Sequence, residues 1–388
     1  NDTIRKLAAV LDEAGQAAPA DAQISTTPAA SAAGTASATP DRRRGTGATG
    51  VDADAVRAAM AAGRIPGATV AVLRGGELTE LTAFGTTTTG ADGEPIDSRT
   101  VFPVGSVSKH VTALGVLRLV DEGVLALDAD VEDYLDGWRI PGRPGAPITV
   151  RHLLSHQSGL RPVPGGRHPR GAVLPTLREL VQGRPGSPGA ERAQPCGAAF
   201  GKAGVNYWVL QLAMENVTGT PFAELMRTLI LDPLGLRDTG FATGFPDTRP
   251  AAAGHGPDGA PLPGGWEHRV DSAAAGLWTT AADLAAVAAE IRRCFLGRPR
   301  SLLTRTTATA MLAEAVPGSF FGLGTVLDAT GGRLWFGHGG ELPGHRAITM
   351  CDAHTGDGYT VLTNGADGDR VIRLFTSAAD PGRPETES

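Results

Sequence analysis

The sequence predicts an α/β protein of the α+β kind, with one antiparallel sheet flanked by helices and an all-α insert. Three observations predict it. Strand-like runs stand near both ends of the globular part, at 66–85 and 321–363. Helical periodicity dominates between them, which suggests a sheet assembled from the two ends with a helical insert. The first strands lead through Val101-Phe-Pro-Val-Gly105 into an apolar helix that opens with Ser106-Val-Ser-Lys109.

The chain has 388 residues, 41% apolar and 20% charged, enough for one large domain or two modest ones. A net charge of −6 gives no electrostatic reason to expect a nucleic-acid partner. The 53 glycines and 28 prolines point to many loops on a rigid scaffold. Cys196, Cys294 and Cys351 lie far apart and read as thiols rather than as a disulfide framework. No 18-residue apolar run implies a membrane span. The first residues carry no signal-peptide core, and a start at Asn1 without Met reads as an excised or processed piece. The expected location is cytoplasmic.

Residues 1–15 contain a short amphipathic stripe of Ile4, Leu7, Ala8 and Leu11, which Asp2 or Thr3 can cap. Residues 16–50 are rich in Ala, Ser, Thr, Pro and Gly and read as a flexible linker, with Arg42–Arg44 as solvated charge. The catalytic domain is expected over 51–380. Within it, 52–62 reads as a helix, and 66–85 as two strands around Gly75-Gly76. Val107, Val111, Leu114, Leu117 and Val120 follow helical spacing, with a stop at Gly123. A short helical piece at 128–135 carries paired acids that read as a solvated face. A helix is expected from Ile148 to Gly159, and a Pro/Gly-rich excursion over 161–197. Helices are expected over 203–217, 221–230, 281–295 and 304–315, with a long loop over 242–270. Strands are expected at 321–327, 334–336, 346–350 and 359–363, and a closing helix over 370–376.

Ser106 at a helix start, with Lys109 one turn on along the same face, makes a hydroxyl reactive. A desolvated amine can take the serine proton, and the helix dipole favours an oxyanion there. Alone, Ser-x-x-Lys occurs by chance in many helices. Four stretches in order strengthen it: Ser106-Val-Ser-Lys109, Ile148-Thr-Val-Arg-His-Leu-Leu-Ser-His-Gln-Ser-Gly-Leu160, Ala274-Ala-Gly-Leu-Trp-Thr-Thr-Ala-Ala-Asp-Leu284 and Gly337-His-Gly-Gly-Glu-Leu-Pro-Gly344.

Together they resemble the serine β-lactamase and penicillin-binding-protein superfamily, on its class C β-lactamase, D-Ala-D-Ala carboxypeptidase and esterase branch, over about 51–376. The resemblance implies a β-lactamase/transpeptidase-like fold without cofactor or metal. It implies Ser106 as the acylated nucleophile and Lys109 as its base. His338-Gly339-Gly340 looks like the family's third motif, which lines the substrate site. The backbone N–H groups of Ser106 and Glu341 would form the oxyanion hole. His156 is read as structural. Six other histidines, at 152, 168, 255, 268, 345 and 354, show no ligand spacing.

The family's second motif is Tyr-x-Asn, and here the pattern breaks. The flanks Phe200 and Asn206-Tyr207 match, but the centre reads Lys202-Ala203-Gly204. Three readings stay open: Lys202 replaces the tyrosine as acid/base; the leaving group needs no proton; or the domain is silent. A thiol, with a pKa of about 8.5, leaves far more easily than an amine. Tyr207 is read as core. The stripe in 1–15 resembles the last helix of a nonribosomal-peptide carrier domain, with an ordinary helix as the alternative. The leading expectation is therefore a terminal thioesterase-like domain of a nonribosomal peptide synthetase. It would accept an acyl or peptidyl thioester from a carrier protein. The alternatives are a free-standing esterase or D-amino-acid-specific peptidase, and a non-catalytic domain that keeps the fold.

Overall fold

The structure is a computed structural model that describes residues 51–164, 166–169, 171–242 and 250–378. The expected carrier-helix remnant at 1–15 and the linker at 16–50 lie outside the described residues.

Helix α1 (Ala53–Ala62) is capped by Asp52, whose carboxylate accepts from the Asp54 and Ala55 N–H groups. Strands β1 (Gly67–Arg74) and β2 (Glu77–Gly85) form the expected hairpin, turning where Gly75 and Gly76 take φ +62° and +89°. After the two-residue strand β3 (Phe102–Pro103), α2 (Val107–Asp121) runs buried on nearly every side, as a central helix must. A 3₁₀ turn at Val131–Tyr134 and α3 (Val150–Leu154) follow. The next elements are β4 (Arg167–His168), α4 (Leu177–Gln182), α5 (Val205–Thr218) and α6 (Phe222–Met226). A π-turn at Arg227–Leu231 joins α6 to α7 (Asp232–Leu234). Then come β5 (Gly240–Phe241), β6 (His268–Arg269), α8 (Ser272–Ala275), β7 (Leu277–Thr279), α9 (Ala281–Phe295) and α10 (Arg305–Met311). The chain ends on β8 (Val326–Asp328), β9 (Trp335–Leu342), β10 (His345–Asp352), β11 (Gly358–Thr363) and α11 (Asp369–Ala378).

The main sheet has the order β2-β1-β11-β10-β9-β8 and is antiparallel throughout. Strands from both chain ends meet at its centre, where Val70 faces Val361 and Ile348 faces Val361 across the ladder. Both faces are covered. Val70, Val72, Ile348 and Val361 pack under α1 and α11, whereas Ala71, Leu73, Ala347 and Leu362 join the large core with α2, α5 and α9. That double burial explains why β1 reads as a nearly unbroken apolar run instead of an alternating one.

Several expected boundaries move. The helix expected from 148 to 159 ends at Leu154, because Ser155 caps it and His156 turns left-handed at φ +57°. The helix expected over 304–315 ends at Met311, whose carbonyl is taken by the Leu323 N–H at 3.1 Å. The strand expected over 321–327 is mostly a tight loop, in which the Gly322 N–H bonds the Thr325 carbonyl, and only 326–328 is strand. The helix expected over 221–230 is interrupted by the π-turn. The excursion at 161–197 holds β4 and α4, and the described part of the 242–270 loop ends in β6. The acids of 128–133 are not all solvated. Glu132 is buried and binds Arg192 at 2.7 Å, Arg139 at 3.1 Å and the Ile140 N–H at 3.0 Å. Burial alone would raise its carboxyl, but these partners hold it below the ordinary range.

Candidate active site

The site forms where the first turn of α2 meets the edge of β9. Strand β8 pairs with β9 only over Trp335–Gly337, so from His338 onward that edge faces α2 instead of another strand. Glycine makes the approach possible. A Cβ on Gly340 would lie 2.0 Å from the Val104 carbonyl oxygen and 3.0 Å from the Val107 nitrogen. A Cβ on Gly105, at φ +51°, would lie 2.6 Å from the Glu341 carbonyl oxygen.

Ser106 is the N-cap of α2 and is 8% exposed. Lys109, one turn on, donates from Nζ to Ser106 Oγ at 3.0 Å and to the Ala274 carbonyl at 2.8 Å. The amine is buried, and burial first, then the charge of Lys202, lower its pKa to about 7. Arg269 lowers it further and Asp271 opposes. A half-neutral amine within hydrogen-bond reach can take the serine proton.

The surroundings lock this turn. Ser108 Oγ donates to the Gly105 carbonyl at 2.6 Å and accepts the Leu277 N–H at 3.0 Å. Thr112 donates to the Ala273 carbonyl at 2.9 Å, and Gln211 of α5 accepts the Ala273 N–H at 3.0 Å. Helix α8 is thus held from two sides, which fixes the Ala274 carbonyl against Lys109. Among the described residues, the Ser106 N–H has no backbone acceptor. Glu341 lies on β9 opposite Arg346, and their side chains form an ion pair.

His338 points to the same side of β9 as Gly340. It is buried edge-on to Phe321, with ring centroids 6.0 Å apart, and its Nδ1 contacts the Gly339 carbonyl. Burial, then the charges of Lys202 and Lys109, push its pKa well below the ordinary range, so the ring is neutral. Lys202 is half-buried just ahead of α5, close enough for its charge to act on Lys109, His156 and His338. Gly204 caps α5 without a side-chain bond. A Cβ there would meet only the Trp208 ring, at 3.6 Å, so the place of the family's asparagine is open. Ser106, Lys109, Lys202 and His338 are therefore brought together, with Glu341, Gly340 and Gly204 at the rim. Tyr207 is fully buried and donates to the Leu154 carbonyl at 3.2 Å, as a core residue does, although Lys109 Nζ stands 5.8 Å from its ring centroid.

Sequence reading missed a supporting group. Asp271 is 3% exposed, binds Arg269 through two bonds of 3.0 and 2.8 Å, and accepts from Trp208 Nε1 at 3.3 Å. Its only sequence signal is its position just ahead of the Ala274 stretch. Among the described residues no cluster of three or more His, Cys, Asp or Glu is placed to hold a metal ion. Cys294 and Cys351 are buried free thiols and Cys196 is a half-buried one. No helix among the described residues is long and apolar enough to cross a membrane.

A sheet covered on both faces, with a Ser-x-x-Lys turn at the edge of β9, defines the β-lactamase and penicillin-binding-protein fold. The chain belongs to the Beta-lactamase family, whose model matches residues 53–380. It is 34% identical to the esterase EstB of Burkholderia gladioli over 52% of this chain and 52% of that one. It is 29% identical to the D-aminopeptidase of Brucella canis over 82% of this chain and 61% of that one. The chain thus spans about half the length of the first relative and under two thirds of the second. Relatives carry the names of an esterase, a D-alanyl-D-alanine carboxypeptidase and a D-aminopeptidase, so the family is one of serine hydrolases. Among solved structures, the octameric penicillin-binding protein homologue of Pyrococcus abyssi superposes with TM-score 0.68 at 23% identity, over 87% of this chain and 79% of that one. SurE in complex with D-Leu superposes with TM-score 0.68 at 25% identity, over 86% of this chain and 76% of that one.

Proposed function

We propose that this chain is a serine acyl-enzyme catalyst that releases an acyl or peptidyl group from a carrier-bound thioester, as the terminal domain of a cytoplasmic peptide synthetase. The observation that carries the reading is the split character of the site: an intact Ser106–Lys109 pair beside Lys202-Ala203-Gly204, where the family has Tyr-x-Asn. Lys109 takes the Ser106 proton as Oγ bonds to the thioester carbonyl carbon. The oxyanion is received by the N–H groups of Ser106 and Glu341; losing one such donor typically costs about 3 kcal/mol of transition-state stabilisation. Collapse breaks the C–S bond; the sulfur takes the proton from Lys109, or leaves as thiolate while Lys109 loses that proton to solvent, so that the amine is neutral again for the next step. Water or an amine then attacks the acyl-enzyme. Its proton passes to Lys109 and returns to Ser106 as the ester breaks. A thiolate needs no strong proton donor, which suits a site without the family's phenol.

The relatives named D-aminopeptidase and the D-Leu bound to SurE favour a D-configured residue in the acyl group. A second reading, a free-standing esterase, is favoured by the 34% identity to EstB. Intact-protein mass spectrometry separates the two. The chain is incubated with matched N-acetylcysteamine thioesters, oxoesters and amides of D- and L-acyl groups, with and without an amine acceptor. Adduct formation much faster from the thioester supports thioester release, and equal rates on all three favour a general hydrolase.

A further inference from the structure

His156 lies in the stretch that sequence reading treats as structural, yet it does not sit in regular structure. Its φ of +57° is left-handed, a conformation uncommon outside glycine although His adopts it more readily than most residues, and the surroundings hold it there. The surroundings are the segment that carries Lys202. The His156 carbonyl accepts the Gly201 N–H at 2.8 Å. Its Nδ1 accepts from Asn206 Nδ2 at 2.8 Å and from the Ala203 N–H at 3.5 Å. Its ring meets Phe200 edge-on at 5.8 Å and packs against Tyr207 at 5.5 Å and Phe321 at 5.3 Å. Ser158, two residues on, donates to Asn206 Oδ1 and so fixes the amide's orientation for its bond to Nδ1. Residues 200, 201, 203 and 206 are therefore all held by one histidine, and Lys202 is in the middle of them.

The same contacts define the ring's state. Nδ1 accepts from two amide donors, so the proton of the neutral ring is on Nε2. Nε2 is buried and has no partner among the described residues. Cationic His156 would have to share this space with Lys109 and Lys202, whose charges act on it.

We propose that His156 is a positioning residue: it holds the 200–206 turn so that the Lys202 amine stays beside Lys109 and His338. The inference rests on the proposed serine chemistry and adds to it the part that fixes the geometry of the replaced motif. His156 does not touch the reacting atoms. It acts through the residues on either side of Lys202.

The test is a double-mutant cycle read by pH. Lys109 faces Ser106 on its own helix, the Ala274 carbonyl and Asp271, Arg269 on β6, Lys202 ahead of α5, His156, and His338 on β9. Moving Lys202 away removes one of the charges that lower Lys109, so the acid limb of kcat/KM should shift to higher pH. We expect His156→Ala to shift that limb upward and so to slow acylation by an N-acetylcysteamine thioester about tenfold at pH 7, with the rate above the limb little changed. Lys202→Ala should shift it in the same direction. Adding His156→Ala to Lys202→Ala should change neither rate nor limb further. His156→Asn, which tolerates the left-handed conformation and keeps an acceptor, should recover most of both and keeps the test open if the alanine variant does not fold. A limb that does not move in either folded His156 variant, or an equal cost of His156→Ala with and without Lys202, would overturn the inference. A Lys202→Ala variant with unchanged rate and limb overturns it too. Loss of the adduct in Ser106→Ala, run alongside, reports on the serine chemistry by itself.

Discussion

The two flanks of the site are built in different ways. On the Ser106 flank, every functional atom is tied to backbone that cannot move alone. Ser108 joins α2 to β7, Thr112 and Gln211 clamp α8, and two glycines let β9 close on the serine turn. On the Lys202 flank, a long side chain stands in an irregular turn ahead of α5, and the neighbours Gly201, Ala203 and Asn206 are bonded to His156. On the proposed reading, the first flank attacks the carbonyl and the second governs what becomes of the leaving group, so that rewriting the second alone would change which bonds can be broken and not whether an acyl-enzyme forms.

The largest effect belongs to the first flank. Ser106→Ala should abolish the acyl adduct with any thioester or fluorophosphonate, and peptide mapping of the wild type should place the adduct on the peptide that contains Ser106. An adduct that survives the substitution would remove the asymmetry altogether, since the reactive group would then lie elsewhere. Next, Lys109→Ala should slow acylation at least ~100-fold, the scale expected for losing a general base. The Ser106–Lys109 bond of 3.0 Å motivates this, and wild-type stopped-flow rates in the variant would refute it.

The pH profile connects the two flanks. Lys109 must be neutral to accept a proton, and its pKa is lowered to about 7, first by burial and then by Lys202. Acylation should therefore rise with pH through about 7 and level off above. The sign for Lys202→Ala follows: removing a positive neighbour makes protonation of Lys109 easier, so the rise moves to higher pH. Burial, the larger cause, stays, so the limb remains far below the ordinary lysine range. A limb that shifts downward would mean that Lys202 does not act on Lys109 through its charge.

The sequence foretold one flank better than the other, for physical reasons. Helices α2, α5 and α9 and strands β1, β10 and β11 carry long periodic or continuous apolar runs, which is the signal that burial leaves in a chain. The Ser-x-x-Lys pair is local, three residues apart, so its geometry follows from one helical turn. Other parts of the site are assembled over long separations. Lys109 meets the Ala274 carbonyl across 165 residues, and Trp208 meets Asp271 across 63. Strands β3, β5 and β7 are two or three residues long, too short to show any period. One signal was present and passed over: Thr176 and Glu179 form a capping box that marks α4 inside the supposed excursion. Gly159 drew the helix stop five residues too far, because the true break at His156 depends on tertiary contacts rather than on residue type.

The smallest expected effect is also the one that sharpens the contrast between the flanks most. If Lys202-Ala203-Gly204 sets the leaving-group preference, rebuilding the family motif should bring amides back within reach. Space for it exists at Gly204, where an added Cβ meets only Trp208 at 3.6 Å. Gly204 is also the first residue ahead of α5, with φ −60°, a conformation open to any residue, so Asn there costs no backbone strain. Lys202→Tyr alone should raise acylation by an amide or a β-lactam only a few fold, since the amide that holds the substrate is still missing. Lys202→Tyr with Gly204→Asn should raise it more than the two changes added separately, because a proton donor is useful only when the nitrogen is held in place. Compared above the Lys109 limb, thioester rates should change little in either variant, because a departing thiolate does not wait for the proton. The measurement is the ratio of thioester to amide acylation rates in wild type and the three variants. If the ratio stays constant across all four, the turn around Lys202 does not choose the leaving group, and the preference must come from the Ser106 flank.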